Sequence, residues 1–360
     1  MKKKLLFLPK YSAKGASSRY RIYSYLPYYK NEGYDFKVSP LLGDKYLNAV
    51  YGHLSKWSVI LYLISRYTKR IWTIITVSKD TLVYIGAELL PYFPSWFEKY
   101  LNFRGVNYII EFDDAVFHNY DQSSNVLVRK LYTGKFSKII KNATAVICGC
   151  RYLSDYAKQW NENVTLIPTS IDGEKYSQPA KDANTMVVGW IGSPSSSKFV
   201  KDVVPAIKKL QETIDFEFRL VGFDKALESE LSGLNYRIVD WMAENEVEEL
   251  RKFTVGIMPL QDTSFARGKC AFKLVQYMAV GVPTVSTPLQ SNVDIDRGCG
   301  NLFAETTDEW RAALEKFLND KELREKVGRR NYETAHENYT FQNNFEKYKK
   351  VIEDVMNLAN

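Results

Sequence analysis

Short apolar runs alternate along this chain with longer segments whose apolar residues recur every three or four positions. The runs are Lys4–Leu8, Phe36–Pro40, Thr81–Ile85, Val106–Asp114, Ala145–Cys148, Val164–Pro168, Met186–Ser193, Phe216–Gly222, Tyr236–Trp241, Val255–Leu260 and Thr284–Ser286. Most are apolar without alternation, as expected of parallel strands covered on both faces. Between them the 3.6-residue period predicts helices over Arg19–Asn31, 53–75, Leu127–Asn142, Arg151–Asn161, Phe199–Thr213 and Glu246–Lys252. Three more close the chain, at Glu309–Leu318, Glu322–Asn338 and Phe341–Leu358. Regular strand–helix alternation is the pattern of an α/β fold. At 360 residues the chain exceeds what one core usually takes, so two domains are expected.

The most informative stretch is Arg267–Val285. A basic, glycine-containing loop opens it, a helix follows, Gly281 ends the helix, and Pro283 leads into the strand Thr284–Ser286. With the preceding strand Val255–Leu260 it makes a βαβ unit, whose loop and helix start lie at the carboxyl end of a strand. Ligands of open parallel sheets bind at that edge. Lys269, Lys273 and Gln276 are spaced four and three apart and are expected on one helical face. Two ammonium groups beside the free N–H groups of a helix start suit a phosphate or diphosphate. The plainer alternative is a solvated helix start with two surface lysines.

The run from Gly256 through "RGKCAFKLVQYMAVGVPTV" resembles the donor-site signature of the GT-B glycosyltransferases of the large group often called family 4. The likeness is to a branch with a GKCxxKxxQYMA form, strong over 253–303 and collinear over the rest. Gly268 and Gln276 stand where the usual signature has two glutamates. The resemblance implies two Rossmann-like domains facing a central cleft, with the C-terminal helix crossing back to the N-domain. "LIPTSIDGEKY" matches the inter-domain hinge, so the expected domains are 1–168 (with about 342–360) for the acceptor and 169–341 for the donor; the polar 179–184 reads as linker.

The resemblance also assigns residues. Gly15 and Arg19 match a glycine loop and arginine beside donor phosphates and acceptor. Gly192, Ser193 and Lys198 match a diphosphate clamp, with Ser193 in place of the usual arginine. Trp241 and Met242 are expected to wall the base, and Gln276 to meet the ribose hydroxyls. Backbone N–H groups of a loop at Ser291, Asn292 and Val293 are expected beside the diphosphate. Asp113 and Asp114 end an apolar strand at the ligand edge, where carboxylates can hold sugar hydroxyls, act as a base or bind Mg²⁺. Asp114 is the better catalytic candidate. His118 is expected at the donor or as a structural histidine. Lys198 and Lys273 would neutralise the leaving diphosphate. The reaction implied is transfer from a UDP- or GDP-sugar, with retention, to a glycan or lipid-linked acceptor in surface polysaccharide assembly, with no metal or other cofactor required. A sugar-nucleotide epimerase and a non-catalytic nucleotide-sugar or membrane-surface binding module are the alternatives.

Composition narrows this further. Four cysteines, Cys148, Cys150, Cys270 and Cys299, do not make a disulfide framework in a chain this long. Cys148-Gly149-Cys150 can in principle hold metal, but the three histidines are scattered at 53, 118 and 336, so buried reduced thiols are expected. The apolar run after Lys2-Lys3-Lys4 is too short for a secretory h-region, and no stretch reaches about 18 apolar residues. A cytoplasmic protein is expected. Charge is uneven: residues 1–170 carry 24 Lys and Arg against 12 Asp and Glu, the remainder 25 against 30. The basic half suggests an anionic partner, and the Trp-, Tyr- and Lys-rich tract 53–75 suits an anionic membrane surface. No nucleic-acid-binding signature is present.

Overall fold

The computed structural model describes residues 4–44, 46, 56–180 and 185–358. Residues 53–55 of the expected long helix and 181–184 of the expected linker lie outside the described residues. The chain divides into two compact units. One comprises Met1–Thr169, Gly268–Cys270 and Asn344–Asn360; the other comprises Ser170–Arg267 and Ala271–Asn343.

The first unit contains a parallel sheet of β1 (Lys4–Leu8), β2 (Asp35–Val38), β3 (Thr81–Gly86), β4 (Tyr108–Phe112), β5 (Ala145–Cys148) and β6 (Val164–Leu166), in the order β2-β1-β3-β4-β5-β6. β4 and β5 are buried at every residue, which explains their unbroken apolar sequence. Glu111 is the one charged exception in these two strands. The last helix, Phe341–Asn357, brings Tyr348 to it: the tyrosine O–H donates to Glu111 Oε1 at 2.6 Å.

The second unit has β7 (Val187–Ile191), β8 (Glu217–Val221), β9 (Tyr236–Val239), β10 (Val255–Met258), β11 (Thr284–Ser286) and β12 (Leu302–Phe303), in the order β12-β11-β10-β7-β8-β9. Its strands bury both faces. Val188, Trp190, Leu220 and Ile257 face one apolar layer, while Val187, Ile191, Val221 and Met258 face the other. In each sheet the strand order reverses beside the first strand, between β1 and β3 and between β7 and β10. Those two reversals are the switch points at which parallel sheets open a crevice.

Four helix expectations are corrected by identifiable causes. Arg19–Asn31 is three pieces, Ala16–Arg21, a 3-10 turn Tyr23–Tyr25, and Leu26–Asn31. Pro27 has no N–H and its ring would strike the carbonyl of Tyr23 in a continuous helix. Pro205 does the same to Phe199–Thr213, leaving a 3-10 segment Pro194–Asp202 and a helix Val204–Gln211. The tract Leu127–Asn142 breaks around Gly134 into Val126–Tyr132 and Lys135–Asn142. β10 is followed by a short helix, Ser264–Arg267, and the helix that carries Lys273 begins only at Phe272, because Ala271 is left-handed (φ 51°).

Candidate functional site

In the second unit the candidate site forms where β7 and β10 part. β7 runs into Gly192, where an added Cβ would lie 2.4 Å from the Trp190 ring and 2.8 Å from Lys273 Nζ. Gly222 ends β8 with φ +75°, and a Cβ there would lie 2.3 Å from the Gly192 carbonyl oxygen. Both turns must therefore be bare backbone. Over them reaches Lys273, in the first turn of the helix Phe272–Ala279. Its ammonium lies 4.5 Å from the Trp190 ring centroid and donates to Ser196 Oγ at 3.2 Å. Ser196 in turn donates to the Ser193 carbonyl at 2.9 Å. The result is a cation held over exposed backbone at a switch point, beside the start of a helix, an arrangement that attracts phosphate.

The other expected donor-side residues lie on loops of the same unit. Ser193 is exposed and its hydroxyl is 3.0 Å from that of Ser195. Lys198 sits in the 3-10 segment, exposed, with its ammonium 5.1 Å from the Phe199 ring centroid. Trp241 and Met242 follow β9 and are 37% and 52% exposed. Behind them is a buried chain of hydrogen bonds without a local sequence signal. Trp241 Nε1 donates to Glu246 Oε2 at 2.8 Å, Tyr176 O–H donates to Glu246 Oε1 at 2.8 Å, and Gln276 Nε2 donates to Tyr176 Oη at 2.9 Å. Gln276 is 4% exposed, so its donor nitrogen is committed to the protein.

The expected loop at Ser291, Asn292 and Val293 is instead the first turn of a helix, Gln290–Asp296. The Asn292 and Val293 N–H groups, expected to face the diphosphate, donate to the Leu289 carbonyl at 2.8 and 3.0 Å. The side-chain oxygens of Ser286, Ser291 and Asn292 are buried without a hydrogen-bond partner among the described residues.

Lys269 does not share a helical face with Lys273 and Gln276, since it precedes the left-handed Ala271. It belongs to the first unit, 3.9 Å from Asp114 Oδ1. Asp114 and Asp113 line a pocket of about 170 Å³ at the β1/β3 switch point, with Lys10, Tyr11, Ser17, Arg21 and Glu111. Partial burial and the neighbouring Asp113 push the Asp114 carboxyl up to about 7, with Lys269 pulling the other way. A carboxyl poised there can exchange a proton near neutral pH.

Gly15 caps the helix that lines this pocket, and an added Cβ would lie 2.5 Å from Tyr11 Cβ. The Ser18 hydroxyl accepts the Tyr11 N–H at 3.1 Å. Arg19 lies 4.8 Å from the Tyr20 ring centroid. The arginine lining the pocket is Arg21, two residues on, which donates to Glu111 Oε1 through Nε at 2.8 Å and forms an ion pair with it, Nη2 lying 2.6 Å away. Nothing local marks that pairing across 90 residues of sequence. His118 has both ring nitrogens engaged, Nδ1 with Asp121 and Nε2 with the Tyr152 hydroxyl, each at 2.8 Å. The ionised carboxylate only accepts, so Nδ1 carries a proton. Among the described residues, no three His, Cys, Asp or Glu side chains group to hold a metal ion, and all four cysteines are buried free thiols.

Residues 185–320 match the family described as Glycosyl transferases group 1. No curated protein matches the chain. Among solved structures it is similar to sucrose-phosphate synthase from Thermosynechococcus elongatus, with a TM-score of 0.72 and 11% identity over 99% of this chain and 100% of that one. A glycosyltransferase from Rickettsia africae gives 0.69 and 14% over 99% of each chain. The trehalose-6-phosphate structure from E. coli, bound with UDP-2-fluoro glucose, gives 0.66 and 13% over 98% and 99%. The fold is GT-B, and the residues that match the Glycosyl transferases group 1 family lie in the second unit, Gly268–Cys270 excepted.

Proposed function

We propose that the protein transfers a sugar from a UDP- or GDP-sugar to a hydroxyl of a glycan or lipid-linked acceptor, in the assembly of surface polysaccharide. The observation that carries this reading is the Lys273 ammonium held over the bare Gly192 turn at the β7/β10 switch point. The acceptor oxygen bonds to the anomeric carbon as the carbon–phosphate oxygen bond breaks. The nucleoside diphosphate leaves with the electron pair, and the acceptor proton is lost. Charge grows on the diphosphate, where Lys273, with Lys198 and the Ser193 loop that carries its partner Ser196, would stabilise it. Trp241 and Met242 would wall the base, Trp241 being held by Glu246. Gln276 would meet the ribose through its amide oxygen. Asp114, in the first-unit pocket, is the proposed base for the acceptor hydroxyl, and Gly15 belongs to the loop beside it. His118 is the proposed support of that pocket rather than a donor contact. Retention at the anomeric carbon is the stereochemistry the resemblance implies.

The test is release of nucleoside diphosphate from UDP- and GDP-sugars, with and without polyprenyl-phosphate-linked glycan acceptors. Slow release that accelerates with acceptor is expected. Donor isomerisation without net release would indicate an epimerase, and binding without any release a non-catalytic module.

A further inference from the structure

The long helix Lys56–Thr76 in the first unit has two apolar faces, and only one is used by the core. On the inner side Ile74 is buried, Arg66 donates to the Leu41 carbonyl at 2.9 Å, and Arg70 donates to the carbonyls of Ser39 (2.8 Å) and Pro9 (3.0 Å). On the outer side Trp57, Ile60, Leu61, Ile64, Trp72 and Ile75 are exposed, Trp57 by 77%, Leu61 by 66% and Trp72 by 68%. Their spacing runs them down a single side of the helix. Phe103, 88% exposed, is next in sequence to Arg104, which donates to the Ile75 carbonyl at 3.0 Å. A contiguous apolar face of this kind marks an interaction site.

Charge selects the occupant. Residues 45–79 contain no Asp or Glu, and of their described cations Lys69 and Lys79 are exposed while Arg66 and Arg70 turn inward. A second copy of this helix would meet an equally acid-free face and form no ion pair along it. No helix among the described residues is long and apolar enough to cross a membrane. We propose that this face docks the protein flat on an anionic lipid surface. Trp57 and Trp72, near the two ends of the helix, sit at headgroup depth, the aliphatic residues between them enter the acyl boundary, and Lys69 and Lys79 meet lipid phosphates.

The docked helix shares a support with the first-unit pocket. Arg70 holds the carbonyl of Pro9, and Lys10 and Tyr11, the next residues, line the pocket. If the glycosyl-transfer reading holds, the acceptor class this geometry serves is one carried on a membrane lipid. The docking itself does not depend on that reading.

The experiment is co-sedimentation of the full chain with vesicles of equimolar phosphatidylglycerol and phosphatidylcholine, and with vesicles of phosphatidylcholine alone. Binding to the anionic vesicles is expected, weakening with added salt. The double variant Leu61→Glu/Ile64→Glu is expected to lose about tenfold or more in vesicle affinity. Its unfolding temperature and its affinity for UDP and GDP are expected to stay unchanged. No binding to anionic vesicles, equal binding to both vesicle types, or unchanged binding by the folded variant would each overturn the proposal. So would light scattering that shows a wild-type dimer and a variant monomer with neither bound to vesicles. Because UDP and GDP binding reads the other unit, loss of docking and loss of the donor site are separable.

Discussion

Tyr348→Phe removes one oxygen and tests how the last helix is tied to the first unit. The tyrosine O–H donates to Glu111 Oε1 at 2.6 Å, the same oxygen accepts from Arg21 Nε at 2.8 Å, and Arg21 Nη2 lies 2.6 Å from it as an ion-pair contact. The arginine and glutamate side chains are each 3% exposed. Water therefore cannot replace a lost donor, and the carboxylate would stay desolvated. A hydrogen bond to a buried charge contributes about 1.5–3 kcal/mol net. Packing should survive the change, because the Tyr25 and Tyr348 rings, 4.6 Å apart, do not depend on the hydroxyl. The expected loss is about 2 kcal/mol from the first unit. Arg21→Met is expected to cost more, about 3–5 kcal/mol, since it strands a buried carboxylate. That larger loss should shrink at low pH, where the stranded Glu111 takes up a proton. Arg21→Met with Glu111→Met should recover much of it, because a buried pair replaced by apolar groups of similar volume is close to neutral. Urea unfolding with an unchanged slope is the assay, with separate transitions allowed for the two units. A Tyr348→Phe change below about 0.5 kcal/mol, the range of an ordinary surface substitution, would refute the reasoning.

Two further predictions concern the candidate site. Asp114 has its carboxyl raised to about 7 by burial and by Asp113, so its ionised form is disfavoured in the fold. Raising the pH from the ordinary carboxylate range through 7 should therefore cost the wild type stability that Asp114→Asn does not lose, and the gap in unfolding temperature should widen across that window. If Asp114 is the base, kcat/KM rises with pH through about 7, and that limb disappears in Asp114→Asn. Glu246→Gln loosens both Trp241 and Tyr176, and it is expected to raise the donor KM about tenfold with a smaller effect on kcat. A kcat loss with unchanged KM would count against a positioning role.

The alternation of strands and helices was legible because buried parallel strands such as Ile109–Phe112 and Val187–Ile191 need no polar face. Helix ends were less legible. The apolar period runs on through Pro27 and Pro205, whose backbone chemistry overrides it. Nothing in the residue type of Ala271 announces a left-handed backbone, so Lys269 was expected on a face it does not share. Gly192 and Lys273, far apart in sequence, were each expected at a site from their own strand–loop–helix setting, and the structure brings the two together. Ser196 and Trp190, which hold Lys273, were not singled out. Arg21 with Glu111, and Trp241 with Glu246 and Tyr176, depend on which elements become neighbours. Residue type and spacing do not encode that.

The most direct test of the central claim is calorimetric titration of UDP and GDP, without metal, into the wild type and Lys273→Ala. The account predicts binding of one of the two by the wild type. It also predicts a loss of about tenfold to a hundredfold in the variant, with its unfolding temperature in the absence of nucleotide unchanged, as expected for removing a charged contact to phosphate. Equal affinity in a folded Lys273→Ala protein, or no binding of either nucleotide by the folded wild type, would contradict it.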